Sequence, residues 1–266
     1  MMANSEKNLS QNIGLAIDKG NRRENNEDSA AAVDMNVASG DALQSVGIYA
    51  IADGMGGHRE GEVASRMAIQ TAVQEVINGI ASANGELDDS YTEWLTKALE
   101  TANRVVRGDR PKPERMGTTL VVAVVVNDKA YIANVGDSRA YLIIKDDIYQ
   151  ITQDQSVVQM LVSAGAITKE EAENHPYKHM LSQAIGIDTS IKVDTFNTEI
   201  TSDAFLLLCS DGLTNELEDS EILTIISDAK SPQIACDLLV DAAKTAGGKD
   251  NISAVLIQLK RNTPEA

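Results

Sequence analysis

The chain of 266 residues is 43% hydrophobic and 24% charged, an ordinary globular composition with length for one large domain or two small ones. Its 23 Lys and Arg against 40 Asp and Glu give a formal charge of -17, which argues against the basic surface that non-specific nucleic-acid binding needs. The longest apolar run, Thr119–Val126, is strand-length, so no membrane span is expected, and the polar opening MMANSEKNLSQN lacks the apolar core of a signal peptide.

In chain order, the first clear element is an apolar strand over Val46–Ala52 that stops on Asp53 and opens into Gly54, Met55, Gly56, Gly57 and His58. Two helices follow. Val63, Ala64, Met67, Ala68, Ala72, Val73, Val76, Ile77 and Ile80 mark one face of Gly61–Ile80, and Trp94, Leu95, Ala98, Leu99, Ala102, Val105 and Val106 mark Tyr91–Val106. Strands are expected over Thr119–Val126, Ala130–Val135 and Ala140–Ile144, the first two joined by a turn at Asn127 and Asp128. The stretch Asp154–Gly186 reads as helical and polar, an appended lobe. Further strands fall at Ile191–Asn197, Ala204–Cys209 and Ile252–Leu259, with a short helix at Ser220–Ser227. Ser231 and Pro232 open a last helix that Gly247 and Gly248 stop. This order, hairpin runs with paired helices, fits antiparallel sheets with helices packed outside, in one domain. Cys209 and Cys236 have apolar neighbours and read as buried thiols of a reducing, cytoplasmic compartment.

Acidic residues stand at the ends of several of these segments. Asp53 and Asp211 each follow an apolar strand and precede a glycine. Asp137 follows Gly136, Asp250 precedes a strand after a glycine pair, and Glu27 and Asp28 open another apolar stretch. Each alone reads as a turn or a polar strand end. Together they read as a hard-cation site, because Mg²⁺ and Mn²⁺ prefer oxygen ligands and clustered carboxylates repel unless neutralised. Glycine beside a ligand lets a backbone carbonyl approach an ion. Three His and two Cys make structural zinc a poor fit. Two such ions would activate a water against phosphorus. Arg23, four residues before Glu27, reads equally as a surface arginine or as a fork for two phosphate oxygens. The loop GMGGHREG lacks the Gly-Lys-Ser/Thr of a P-loop and does not match G-x-G-x-x-G, which disfavours a nucleotide cradle.

RENNED (Arg23–Asp28), ADGMGGHREGEVAS, MGTT (Met116–Thr119), VGDSRAY, LCSDGLTN and KDNIS occur in an order that resembles the metal-dependent serine/threonine phosphatases of the protein phosphatase 2C (PPM) family, bacterial branch. The resemblance spans about Ile13 to Leu259. It implies an α+β fold: a four-layer α-β-β-α sandwich of two antiparallel sheets flanked by helix pairs. The phosphatase domain would cover 13–260, with a mobile flap about 154–186 and polar tails at 1–12 and 261–266. It also implies a site for two Mg²⁺ or Mn²⁺ ions. Asp53 would bridge them, the Gly54 carbonyl would bind one, and Glu27, Asp211 and Asp250 would complete the set, some through water. Asp137 would serve a third, weaker ion, and Arg23 would hold the substrate phosphate. The substrates implied are phosphorylated proteins, including a serine/threonine kinase or its targets, acted on by a monomer.

Four positions depart from that pattern. Met55 stands where some relatives carry a histidine proposed as general acid. His58 is the nearest replacement, and it reads equally as a loop histidine bonded to backbone. Asn215 replaces an aspartate, which weakens a third-ion site. Gln155 replaces the histidine of Asp-His-Ser at the flap entrance, and Gln183 stands where an arginine is expected. The alternatives to a phosphoprotein phosphatase are a catalytically weak regulatory or scaffold module of the same fold and a two-metal phosphodiesterase or nuclease.

Overall fold

The computed structural model describes residues 12–39, 42–55, 59–83, 90–108, 116–200 and 203–259. The chain begins with β1 (Asn12–Asp18), β2 (Ser29–Ser39), β3 (Ala42–Ala52) and the short β4 (Gly54–Met55), then α1 (Arg59–Ser82) and α2 (Tyr91–Arg107). It continues through β5 (Gly117–Thr118), β6 (Leu120–Val126), β7 (Lys129–Val135), β8 (Arg139–Ile144) and β9 (Asp147–Gln150). After α3 (Val157–Ser163) and α4 (Lys169–Glu173) come β10 (Asp194–Glu199), β11 (Ala204–Cys209) and α5 (Asp211–Thr214). The last elements are α6 (Asp219–Asp228), α7 (Pro232–Ala246) and β12 (Ile252–Leu259).

Two antiparallel sheets, ordered β1-β12-β11-β8-β9 and β10-β7-β6-β3-β2, stack face to face. Their central strands are buried on both faces, which is why they read as unbroken apolar runs. In β6, Leu120, Val122, Val124 and Val126 face α1 and α2, while Val121, Ala123 and Val125 face the other sheet. In β11, Leu206 and Leu208 fill the space between sheets, while Leu207 and Cys209 face α6 and α7. Three apolar layers thus separate four layers of secondary structure, the sandwich that the resemblance implied. Truncating a side chain of the outer layer such as Leu95, fully buried, costs about 2–5 kcal/mol.

Helix starts follow local chemistry. Ser231 caps α7 by accepting from the Ile234 N–H, with Pro232 at its first position. The β6–β7 turn places Asn127 at φ 53, a conformation that asparagine tolerates.

Two expectations need correction. The stretch 154–186 is not predominantly helical: α3 has seven residues, α4 has five, and turns, bends and irregular backbone make up most of the rest. Gly165, at φ 68, marks the break between them, and α4 (KEEAE) buries no residue that could hold a longer helix. The strand expected at Ile191–Asn197 lies at Asp194–Glu199, set by antiparallel pairing with β7. Its residues alternate between half-buried and exposed, as an edge strand allows. β1 and β9 also escaped the apolar pattern, being edge strands with few buried side chains.

Candidate active site

The sandwich brings the acidic strand ends to one edge. Asp53 follows β3, Asp211 follows β11 after one residue, Asp250 precedes β12, Asp137 lies between β7 and β8, and Glu27 precedes β2. These five carboxylates, with Arg23 and Gly54, line one cleft of about 1080 Å³. The segment Pro176–Ala184 also lines it.

Each position is held by its own set of backbone bonds. The Asp53 N–H donates to Thr119 Oγ1 at 2.9 Å, and the Asp53 carbonyl accepts from Thr118 Oγ1 and the Thr119 N–H, both at 2.8 Å. The Gly54 N–H donates to the Glu27 carbonyl at 3.2 Å, and a Cβ on Gly54 would meet the backbone carbonyls of Gly61 and Glu27. A Cβ on Gly61 would in turn collide with the Glu27 carboxylate. Asn251 ties three segments: Oδ1 accepts from the Glu27 N–H at 2.7 Å, and Nδ2 donates to the Lys19 and Asn25 carbonyls, both at 3.0 Å. Beneath them Asp28 Oδ2 accepts from the Ser210 and Ser253 hydroxyls, both at 2.8 Å. Those serines flank Asp211 and Asp250 in sequence.

The substituted positions have defined contacts. Asn215 Nδ2 donates to Asp211 Oδ2 at 2.9 Å, so the amide supports Asp211 as a donor. Gln155 Oε1 accepts from the Gly136 N–H at 3.0 Å, and its Nε2 donates to Asp194 Oδ2 at 2.8 Å. It thereby ties the Asp137 loop to β10. Gln183 Oε1 accepts from the Lys192 N–H at 3.0 Å.

The electrostatics of this edge are unfavourable without a cation. Burial, then the charges of Asp28, Asp211, Asp137 and Asp250, hold the Asp53 carboxyl well above the usual carboxylate range. Burial, then Asp211 and Asp154, does the same to Asp137. Asp211 is raised by burial and by Asp250, against the opposing pull of the adjoining Asp53 carboxyl and the Asn215 amide. Burial pushes Asp28 up to about 7, although the Ser210 and Ser253 hydroxyls draw it down. Asp211 Oδ1 and Asp28 Oδ1 are buried without a hydrogen-bond donor. Acceptor oxygens gathered out of water, with no donor to meet them, suit a hard divalent cation. Among the described residues no three His, Cys, Asp or Glu side chains converge in ready ligating geometry, so the fit is one of donor type and charge. Mg²⁺ in particular retains several waters and needs few direct protein ligands.

Seven of the sequence-selected residues therefore share the cleft: Arg23, Glu27, Asp53, Gly54, Asp137, Asp211 and Asp250. His58 lies outside the described residues. Sequence reasoning gave no role to Asn251, Thr118, Thr119, Gly61 or Asp28 as supports, although MGTT, KDNIS and RENNED contain four of them. The available signal was a polar or small residue within a few positions of a candidate ligand.

Residues 21–256 match the family described as Protein phosphatase 2C. The chain belongs to the protein phosphatase 2C family. It is 36% identical over 244 residues to the serine/threonine phosphatase stp of Listeria welshimeri, covering 91% of this chain and 93% of that one. The structure of the S. agalactiae serine/threonine phosphatase superposes with a TM-score of 0.82 at 32% identity, covering 94% of this chain and all of that one. The catalytic domain of the serine/threonine protein phosphatase PstP, solved in complex with two manganese ions, superposes with a TM-score of 0.77 at 29% identity, covering 94% and 98%.

Proposed function

We propose that this protein is an Mg²⁺- or Mn²⁺-dependent phosphatase that hydrolyses phosphoserine and phosphothreonine in proteins. The observation that carries the reading is the meeting of five carboxylates from separate strand ends and Arg23 in one cleft. Asp53, Asp211, Asp250, Glu27 and the Gly54 carbonyl would hold two ions, and Asp137 a third, weaker one. Such ions supply Lewis acidity and a water of lowered pKa at neutral pH. Arg23, with its planar fork at the cleft, binds the anionic phosphate and offsets charge on the transferring group. Asn251, Thr118 and Thr119 fix the backbones of Glu27 and Asp53, so the carboxylates need little reorganisation.

The same reading takes residues 13–260 as one phosphatase domain, 154–186 as its flap, and the chain as a cytoplasmic monomer opposing a serine/threonine kinase. Among the described residues no helix is long and apolar enough to cross a membrane. Every proposed metal ligand is present, which leaves the catalytically weak scaffold without support, and the -17 charge disfavours a nuclease. The test is turnover of p-nitrophenyl phosphate and a phosphothreonine peptide with Mn²⁺ and with EDTA. Metal-dependent hydrolysis of both is expected. Turnover that survives EDTA, or full activity in Asp53→Asn and Asp211→Asn, would reject the reading.

A further inference from the structure

His179 lines the same cleft as the five carboxylates. Its position is fixed by a short turn. The Lys178 N–H donates to the His175 carbonyl at 3.1 Å, the Tyr177 N–H to His175 Nδ1 at 3.2 Å, and the Met180 N–H to the Tyr177 carbonyl at 3.0 Å. Just beyond, the Val157 N–H donates to the Met180 carbonyl at 2.8 Å and the Ser182 N–H to the Gln155 carbonyl at 2.8 Å, with a bridge between Ser156 and Leu181. His179 thus lies between two anchored backbone positions. His175, the neighbouring histidine, is absent from the cleft lining; its ring is used inside the turn, against Tyr177 at 5.5 Å.

The other basic groups of the cleft are committed or chemically unsuited. Arg23 is bonded to Asp250 and does not release its proton, Lys249 pairs with Glu216 at 3.4 Å, and the remaining basic side chain of the lining, Lys178, is also a lysine. A lysine ammonium, which in model peptides gives up its proton at about pH 10.4, is a poorer match than an imidazole to proton transfer at neutral pH. Among the described residues the His179 side chain has no hydrogen-bond or ion-pair partner. A positive charge at His179 acts on Asp211 in the direction that lowers that carboxyl, which places the two side chains within electrostatic reach. Met55, also in the lining, has no proton to give.

We propose that His179 is a catalytic residue, the donor of the proton that the leaving serine or threonine oxygen takes up. The inference rests on the phosphatase reading. As the water oxygen bonds to phosphorus, the P–O bond to the side chain breaks and its electron pair stays on the side-chain oxygen. That oxygen takes a proton from the His179 ring nitrogen, giving the free alcohol and phosphate. The water's proton leaves to solvent, and the exposed imidazole is reprotonated from solvent.

Protonation matters for an alkoxide and hardly at all for p-nitrophenolate, which leaves well without it. The test compares His179→Ala and His179→Gln with the parent on p-nitrophenyl phosphate and on a phosphothreonine peptide, both at saturating Mn²⁺. Expected is a fall in kcat on the peptide of roughly 100-fold. The kcat on p-nitrophenyl phosphate should stay within about 3-fold of the parent, since general acid assistance is not needed there. Lys169→Ala, at the exposed start of α4 and outside the cleft lining, should leave kcat on both substrates near the parent. Equal losses on both substrates, or an unchanged peptide kcat in His179→Ala, overturn the proposal. Failure of the parent on either substrate strikes the phosphatase reading instead.

Discussion

Arg23 Nη2 donates to Asp250 Oδ2 at 2.6 Å, across 227 positions of sequence. The proposed phosphate fork is thus paired with a proposed metal ligand, and the hydrogen bond to Asp250 is the main reason its guanidinium is held even more firmly charged than usual. Both side chains are partly exposed, at 54% and 33%, so the pair contributes at most about 1 kcal/mol to folding. Its loss should be felt by the substrate. Arg23→Ala is expected to lower kcat/KM for p-nitrophenyl phosphate by roughly 10–100-fold, the worth of a hydrogen bond to a charged group. The melting temperature should barely change. Calorimetry and steady-state kinetics on one preparation check both halves.

The buried carboxylates predict a trade between stability and metal binding. Asp53 carries its proton tightly because burial and neighbouring charges disfavour ionisation. Asp53→Asn removes that cost, so the variant should melt above the parent in EDTA, by roughly 2–4 °C per kcal/mol recovered. Mn²⁺ should raise the parent's melting temperature by linkage and leave the variant's unchanged. Thermal melts with Mn²⁺ and with EDTA decide it; a variant that melts lower in EDTA contradicts the account.

Gly61 leaves the space in which the Glu27 carboxylate lies. Gly61→Ala adds a helix-favouring methyl inside α1 yet pushes that carboxylate aside. The variant should fold and lose roughly 10–100-fold in Mn²⁺ affinity by titration calorimetry, as other displaced support does. Gly54→Ala, whose methyl meets backbone carbonyls, should instead cost about 1–3 kcal/mol of stability.

The two cysteines are free and buried, and burial pushes both thiols up to about 12. An unfolded thiol ionises near about 8.5. The folded pKa is the higher of the two, so this contribution to stability is complete below about pH 8.5 and lost as pH rises toward 12. Neither thiol should react with a disulfide reagent in the native protein at pH 8, and both should react in denaturant. Urea midpoints measured from pH 8 to 10 should fall less steeply for Cys209→Ala/Cys236→Ala than for the parent.

The central strands, the outer helices and the carboxylates were legible because their signals are local. A strand buried on both faces must be apolar at every position, so β6 and β11 announced themselves, and β12 matched its expected bounds. An Asp-Gly after such a strand marks a sharp exit in which the carboxylate meets the edge of the sheet. β1 and β9 carry little of that pattern, because edge strands bury little. The segment 154–186 misled because short helices between turns share the composition of one longer polar helix.

By itself the sequence determined which residues form strands and helices in the core, and where acidic side chains stand at their ends. Periodicity and turn chemistry are written within a few residues. Only the tertiary structure decided which ends meet. Sheet order sets Asn251 against Glu27, Asp28 between Ser210 and Ser253, and Arg23 on Asp250. Those pairs are joined by the stacking of two sheets, which no window of sequence contains.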